Sequence, residues 1–255
     1  MTIRVSPIPA LESNYIWMIR DDDVAVLVDP GCDQVAMDAL QSHQLELSGI
    51  LITHHHHDHI GGVNGLLKHF SVPVFGPQDE RITLDYQPVK HGDTVKLDSL
   101  ALSFEVIYTP GHTRSHIIYA NDSMIFAGDT LFSMGCGRLF EGTAAQMQHS
   151  LDAITQLNPS ALLYCGHEYT QNNTEFALSL EPSNRDVADY LEHVKALRQM
   201  GKPTLPVALE QELRLNPFLR TREPAIIAAA KQADPECGST ATEVFAILRE
   251  LKDHF

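Results

Sequence analysis

The segment ITHHHHDHIGG, residues 52–62, places four consecutive histidines, an aspartate and a fifth histidine within one short stretch. An apolar run precedes it and a glycine-containing one follows, so it lies inside the fold and not at a terminus, where a purification tag would be. In extended backbone residues i and i+2 point the same way, so His54 and His56 can converge. A turn can then present Asp58 and His59. The spacing H-x-H-x-D-H therefore supplies two adjacent sets of possible metal ligands.

Three more histidine or aspartate residues each follow a strand-like run and a glycine: His112 in YTPGHT, Asp129 in IFAGDT and His167 in LLYCGHEYT. Each alone is more typical of an ordinary hydrogen-bonded side chain or turn than of a ligand. Functional residues commonly lie at the carboxyl ends of strands, and glycine lets the backbone approach a crowded centre. Because four strand ends deliver such residues, the sequence predicts a metal site. Nitrogen and oxygen donors suit zinc, iron or manganese.

Short strand-like and helical runs alternate over the first two thirds of the chain, which predicts a layered α/β domain. The predicted strands cover residues 15–19, 24–28, 47–52, 72–75, 100–108, 117–119, 124–127 and 162–164, and the predicted helices include 35–45 and 63–70. Beyond about residue 170 the pattern indicates helices only. We therefore expect a catalytic domain at residues 1–170 and an all-helical, substrate-binding domain at 171–255.

Capping signals predict where three of the later helices begin. These starts are at Thr143 with Gln146, at Ser183 or Asn184, and at Thr240 with Glu243. The last helix is expected to have Val244, Leu248, Leu251 and Phe255 on one apolar face.

Charge and composition restrict the partners. The formal net charge of −15 disfavours a nucleic-acid backbone or an anionic membrane surface. No apolar run approaches the roughly 18–20 residues of a membrane span, and the N-terminus lacks the pattern of a signal peptide. The four cysteines are scattered and form no C-x-x-C pair, which is typical of reduced thiols. We expect a cytoplasmic monomer with no nucleic-acid or membrane partner.

The motif H-x-H-x-D-H, followed by G-H-T, G-D-T and G-H-E, resembles the metallo-β-lactamase superfamily over residues 1 to about 170. The resemblance implies a four-layered αβ/βα sandwich with two divalent metal ions, which we expect to be zinc, with iron or manganese as the alternatives. It implies that one ion is bound by His54, His56 and His112. It implies that the other is bound by Asp58, His59 and His167, with Asp129 and a water or hydroxide bridging the two.

Such a pair of cations suits hydrolysis. Two cations about 3.5–4 Å apart lower the pKa of a shared water toward neutrality and orient it for attack. They also stabilise the oxyanion formed at a carbonyl. Among the ligands, Asp58 and Asp129 are the carboxylates that we expect to take part in catalysis. No serine or cysteine has a nucleophile setting such as G-x-S-x-G.

Three segments narrow the range of possible substrates: GDTLFSMGCGRLFEGT (128–143), GHEYT (166–170) and NPFLR (216–220). Together with the helical C-terminal region they closely resemble the hydroxyacylglutathione hydrolases, or glyoxalase II family. The resemblance implies hydrolysis of S-D-lactoylglutathione to D-lactate and glutathione, the second step of methylglyoxal detoxification. It implies that Arg138 and Tyr169 contact the glutathione portion, and that its glycine carboxylate is held by Arg249 and Lys252.

The basic pair can also be assessed without the resemblance. Arg249 and Lys252 are three residues apart on a helix and so project from one side. An equally reasonable interpretation is a solvated helix end, where the macrodipole favours cations. Two departures from the family are Ser115, where glycine is usual, and Phe140, where some members have tyrosine. Neither departure removes a metal ligand.

Three other functions remain as alternatives. A mononuclear iron persulfide dioxygenase on the same fold shares H-x-H-x-D-H but tends to lack the long helical C-terminus. A nuclease is disfavoured by the net charge and by the lack of a basic cluster. A metal-storage protein would show no turnover with any substrate.

Overall fold

In the computed structural model, which describes residues 2–255, the second strand of the chain (Asn14–Arg20) is buried on both faces. Its alternate side chains enter two different cores, with Ile16 and Met18 in one and Trp17 and Ile19 in the other. Because successive side chains of a strand point to opposite faces, such a strand needs a packed layer on each side. This requirement places the first sheet between helices and a second sheet.

The first sheet contains six strands that lie side by side in chain order. They are β1 (Arg4–Ala10), β2 (Asn14–Arg20), β3 (Val24–Val28), β4 (Glu46–Leu51), β5 (Val74–Pro77) and β6 (Gln87–Val89). The first three strands pair antiparallel, and β3 to β6 pair parallel. The ends of β3 and β4 therefore face the same edge.

A second sheet packs against the first, and a short hairpin follows one of its strands. The remaining strands are β7 (Thr94–Leu97), β8 (Leu102–Tyr108), β9 (Ile117–Ala120), β10 (Met124–Gly128), β11 (Leu131–Phe132), β12 (Gly135–Cys136), β13 (Leu162–Cys165) and β14 (Val207–Ala208). The sheet order is β14-β13-β10-β9-β8-β7, while β11 and β12 pair with each other. Strands β10 and β13 are parallel, so their carboxyl ends also lie together.

Helices cover the outer faces of both sheets. They are α1 (Asp33–His43), α2 (His57–Ile60), α3 (Val63–Leu67), α4 (Ala144–Ile154), α5 (Thr170–Leu180), α6 (Arg185–Gln199), α7 (Leu209–Leu215), α8 (Pro224–Ala233) and α9 (Ala241–Asp253), with a 3₁₀ turn at Asp98–Leu100. Helix α1 packs on the first sheet through Ala36 and Leu40, and α4 on the second through Met147 and Leu151. The layers are helix, sheet, sheet and helix, which confirms the predicted αβ/βα sandwich.

The predicted helix starts agree with the structure. Complete capping boxes open α4 at Thr143 and α9 at Thr240, and Asn184, not Ser183, caps α6. Among residues 2–255, no helix combines the length and the apolar character needed to cross a membrane.

Two expectations for the C-terminal region were wrong. The region is not purely helical, because β14 pairs with β13 at the edge of the second sheet. Phe255 does not share the apolar face of the last helix, since α9 ends at Asp253, and Phe255 is 56% exposed. Helical periodicity identified the helices but could not reveal a two-residue strand that depends on its neighbour.

The C-terminal helices share one core with the sheets. Phe218, Phe245 and Leu248 belong to the same buried cluster as Phe126 and Val106. A polar contact reinforces this junction.

That contact is made by Glu168, which follows the last ligand-like histidine. Its carboxylate accepts hydrogen bonds from the Tyr15 hydroxyl (2.9 Å) and from the Thr204 backbone N–H (2.8 Å). Arg198 of α6 lies 3.5 Å from the same carboxylate. The helical region is therefore held against the end of the α/β layers where the histidines lie.

Candidate metal centre and adjoining pocket

The predicted ligands follow four strands and meet at one end of the sandwich. The histidine run follows β4, His112 follows β8, Asp129 follows β10 and His167 follows β13. Parallel pairing of β10 with β13 brings two of these ends together within the second sheet. Packing of the two sheets brings in the end of β4.

The first set of donors consists of three imidazoles. His56 Nδ1 lies 3.0 Å from His54 Nε2 and 3.0 Å from His112 Nε2. The three nitrogens all lie within 4.8 Å of one another, a separation suited to a shared cation.

The second set contains one carboxylate and two imidazoles. Asp58 Oδ2 lies 3.4 Å from His59 Nε2 and 3.4 Å from His167 Nε2. These three atoms also fall within 4.8 Å of one another. The side chains of the H-x-H-x-D-H motif thus contribute to both of these sets of converging atoms.

Asp129 lies between the two sets. Its Oδ2 is 3.4 Å from His112 Nε2 of the first set and 3.3 Å from His167 Nε2 of the second. Its Oδ1 and His59 Nε2 are buried and make no hydrogen bond. Buried polar atoms normally have partners, and unpaired ones that converge in this way fit cations bound between them. All seven groups are nitrogen or oxygen donors, so the residues fit two divalent ions.

Burial and mutual charge set the protonation of the donors. Burial lowers the pKa of His54, and it lowers the pKa of His56 to about 4. Burial opposes ionisation of Asp129, but His59 and His167 hold its pKa well below the usual range. Burial opposes protonation of His59 and His167, but the charge of Asp129 raises the pKa of both, that of His167 to about 9. Because neutral imidazoles and ionised carboxylates are the forms that bind metal, His54, His56 and Asp129 already have that form, whereas His59 and His167 must lose a proton on binding.

Asp29, which the sequence analysis missed, supports one imidazole of each set. Its carboxylate accepts hydrogen bonds from the Thr53 backbone N–H (2.8 Å) and the Thr53 hydroxyl (2.7 Å) and lies 2.9 Å from His59 Nδ1. The Thr53 hydroxyl is 3.0 Å from His54 Nδ1. Such contacts orient ligating histidines. Asp29 directly follows strand β3 in VLVDPG, as the other residues follow their strands, and this signal could have revealed it.

His116 is a second supporting residue that the sequence analysis missed. Its ring is fully buried and stacks on His54, with the ring centroids 4.7 Å apart. Its Nε2 accepts a hydrogen bond from the Asp129 backbone N–H at 3.1 Å, while Nδ1 faces the Thr130 hydroxyl at 3.0 Å. His116 therefore positions Asp129 and is not one of the converging donors.

Two glycines permit the close approach of the strands. A Cβ at Gly128, which has φ +48°, would lie 2.3 Å from the Thr53 hydroxyl oxygen. A Cβ at Gly166 would lie 2.5 Å from Asp129 Oδ1. The glycines before Asp129 and His167 are thus required by space, as the sequence predicted.

We expect Asp29→Asn to weaken metal binding while leaving every donor in place. An amide cannot accept both Thr53 bonds and also support His59 as a carboxylate does, so we expect about 10- to 100-fold lower metal affinity. Competition with a chromophoric chelator measures this change. Unchanged affinity would contradict the role of Asp29.

A pocket of about 460 Å³ joins the donor sets to the predicted substrate residues. His112 and Asp129 line one part of it, and Arg138, Tyr169, Arg249 and Lys252 line the rest together with aromatic and asparagine side chains. All four predicted substrate-binding residues therefore border one cavity.

Arg249 is buried, with 5% of its surface exposed, so it is not part of a solvated helix end. Its Nη1 donates a hydrogen bond to the Cys136 carbonyl at 2.8 Å, and its guanidinium lies 5.3 Å from the Phe218 ring centroid. Lys252 contacts Asn172 and lies 5.0 Å from the ring centroid of Phe255. The basic pair is built into the wall of the pocket.

Aromatic rings line the part of the pocket next to the donors. The Tyr169 ring stacks on His167 with the centroids 4.7 Å apart. Phe140 is 64% exposed and lies edge-on to His56 and His112. The other departure from the family, Ser115, donates a hydrogen bond to Asp79 outside this pocket.

Arg138 contacts both the first donor set and helix α9. Its carbonyl oxygen lies 2.9 Å from His112 Nδ1, and its exposed side chain reaches toward α9.

Comparisons with known proteins agree with this arrangement. The profile described as "Metallo-beta-lactamase superfamily" matches residues 11–167, and the one described as "Hydroxyacylglutathione hydrolase C-terminus" matches residues 168–255. The chain is 46% identical over 251 residues to the hydroxyacylglutathione hydrolase of Methylobacillus flagellatus, covering 98% of this chain and 99% of the relative. It is 46% identical over 256 residues to the enzyme of that name from Xanthomonas euvesicatoria, covering 99% of each.

A solved structure with a similar fold is ETHE1 from Myxococcus xanthus, with a TM-score of 0.69 and 25% identity. The alignment covers 98% of this chain and 91% of that one.

Proposed function

The chain belongs to the hydroxyacylglutathione hydrolase family of the metallo-β-lactamase superfamily, and from this we infer that it hydrolyses S-D-lactoylglutathione to D-lactate and glutathione. This reaction is the second step of methylglyoxal detoxification. The observation that carries the proposal is the single pocket that joins the clustered donors to a buried arginine. A thioester carbonyl at one end and a peptide carboxylate at the other fit such a pocket.

Two bound divalent cations would supply an acidic water near neutral pH and positive charge for the developing oxyanion. We propose that one cation is held by His54, His56 and His112, the other by Asp58, His59 and His167, and that Asp129 contacts both. The native metal is proposed to be zinc, with iron and manganese compatible with the same donors.

The side chains of the site have separate roles in the proposed reaction. We propose that Asp58, whose Oδ2 accepts a hydrogen bond from Asn14 Nδ2 at 2.9 Å, helps to orient the attacking water, which loses a proton to solvent. The resulting hydroxide oxygen forms a bond to the thioester carbon, the carbon–sulfur bond breaks, and the departing thiolate takes up the proton of the new carboxyl group, giving lactate and glutathione. Phe132 and Phe140 line the pocket and give it an apolar surface next to the donors.

The remaining pocket residues hold the glutathione portion. Arg249 and Lys252 bind its glycine carboxylate, and Tyr169 and Arg138 contact the peptide between that end and the thioester. Charge-assisted hydrogen bonds to a carboxylate are stronger than neutral ones, especially where burial excludes water.

Turnover of S-D-lactoylglutathione by purified protein, with elemental analysis of the same sample, tests the proposal. We expect two divalent ions per chain and release of a free thiol, detected with a thiol reagent. Oxygen consumption with glutathione persulfide and no thioester turnover would instead favour the persulfide dioxygenase alternative. Metal binding without any turnover would favour metal storage.

We expect the KM for the thioester to rise as the pH increases above about 8. Burial, and the nearby positive charges of Arg249 and Arg138, lower the pKa of Lys252 to about 8, against the opposing effect of Glu175 and Asp253. The protonated amine binds the carboxylate, so affinity is present below this pKa and decreases as the pH rises through it. A KM profile between pH 6 and 10 measures the effect, and Lys252→Met should flatten the profile.

We also propose that the protein is a cytoplasmic monomer that needs no macromolecular partner. Its scattered cysteines, all without disulfide partners, are consistent with a reducing compartment. Light scattering of the purified chain measures the oligomeric state.

A further inference from the structure

One carboxylate lies between the two arginines of the pocket. Asp253 Oδ1 is 3.3 Å from Arg138 Nε and 3.0 Å from Arg249 Nη2. Arg138 follows strand β12 and Arg249 lies in helix α9, so this oxygen links two walls of the cavity. It engages guanidinium nitrogens of two arginines that line the pocket where an anionic ligand would bind.

Arg249 does not depend on Asp253 for its position. The hydrogen bond to the Cys136 carbonyl and the contact with the Phe218 ring hold the guanidinium independently. Its Nε is buried and makes no hydrogen bond, so the protein does not satisfy the guanidinium completely. Asp253 therefore neutralises part of the positive charge of the Arg249 guanidinium, whose position other contacts already fix.

The location of Asp253 is also unfavourable for helix stability. It is the last residue of α9, where the macrodipole favours cations and disfavours anions. Its ion pairs with Arg249 and Arg138 offset this cost. Because both arginines line the pocket, the carboxylate is positioned to influence ligand binding.

We propose that Asp253 acts as an internal competitor for the carboxylate of the glutathione portion. This inference rests on the proposed function. In the free enzyme Asp253 pairs with Arg138 and Arg249. On binding, the ligand's glycine carboxylate replaces Asp253 on Arg249, and the peptide replaces it on Arg138. Because Asp253 neutralises part of the positive charge, it weakens the binding of both the thioester and the glutathione that is released. It thereby favours product release over tight binding.

The test is Asp253→Asn, which keeps the size of the side chain and removes the charge. We expect calorimetry with glutathione to give a Kd roughly three- to tenfold lower than for the wild type, a range set by solvent screening of a partly exposed pair. The constant for inhibition by glutathione should fall by the same factor. A higher Kd would overturn the proposal, because it would mean that Asp253 positions the arginines for binding. An unchanged Kd would also overturn it, because Asp253 would then not compete with the ligand.

Asp186→Asn is the matched control. Asp186 forms an ion pair with Arg214 at 2.9 Å on the surface, away from the pocket, so its variant makes the same change in net charge. We expect no change in its Kd for glutathione. Asp253→Ser repeats the test with a smaller neutral side chain, and thermal unfolding of each variant confirms that it is folded.

Binding and activity together separate the two proposals. A wild-type protein that neither binds glutathione nor hydrolyses the thioester would contradict the proposed function. A wild-type protein that does both, with no tighter binding in Asp253→Asn, would contradict only the role given to Asp253.

Discussion

Replacing Asp129 with asparagine is expected to lower kcat/KM for S-D-lactoylglutathione by about 10³-fold or more, equivalent to roughly 4 kcal/mol of transition-state stabilisation. Asp129 Oδ2 lies within 3.4 Å of a histidine nitrogen from each donor set. An amide carries no negative charge and presents one acceptor oxygen instead of two. The variant should also bind fewer than two metal ions per chain by elemental analysis.

Asp122→Asn is a suitable control for this substitution. Asp122 is exposed and precedes strand β10, while Asp129 follows the same strand, so both variants change one carboxylate near one element. The control should keep wild-type activity and metal content. Substantial hydrolysis by the Asp129 variant, with two metal ions still bound, would contradict a carboxylate shared by both sets.

Removing the basic pair is expected to affect binding more than chemistry. In the double variant Arg249→Ala with Lys252→Ala, two charge-assisted hydrogen bonds to the substrate are lost, at about 1.5 kcal/mol or more each. We therefore expect KM to rise by roughly 100-fold while kcat changes by only a few-fold. Steady-state kinetics over a wide substrate range separates the two constants.

Arg249 also packs in the core, so the double variant needs a stability measurement. Its guanidinium lies against Phe218, and truncation to alanine removes this contact. Arg249→Met with Lys252→Met keeps the apolar stems and should raise KM with a smaller loss of thermal stability. Arg222→Ala with Lys231→Ala removes the same charge from the surface of the C-terminal region and serves as the control. Unchanged kinetics in the Arg249 and Lys252 variants would rule out binding of the glycine carboxylate by this basic pair.

The general form of the metal centre was predictable because its donors occupy repeated positions in the sequence. His112, Asp129 and His167 each follow a strand and a glycine, and strand ends in a layered α/β fold converge. The H-x-H-x-D-H spacing predicted two adjacent sets of donors, the assignment of all seven donors to particular ions came from the resemblance, and metal binding by these residues stays a prediction. The structure adds that their atoms lie close enough to bind shared cations.

Residues that act through contacts between distant elements could not be predicted. His116 accepts a hydrogen bond from the Asp129 backbone, but in the sequence it is one histidine beside an apolar strand. Asp253 looks like an ordinary surface charge at the end of a helix until the pocket brings Arg138 to it. Strand β14 needs β13 as its partner and has no periodicity of its own. In each case the decisive neighbour is far along the chain.

Because the sheets and the C-terminal helices pack into one core, the C-terminal region cannot easily be exchanged for that of a related protein. Phe218, Phe245 and Leu248 complete a core that begins in the strands, and β14 supplies the outer strand of the second sheet. A recombinant chain that joined these sheets to a foreign C-terminal region would leave an apolar face and a strand edge uncovered. New substrate preferences on this scaffold are therefore easier to reach by changing side chains within the pocket than by exchanging the region that lines it.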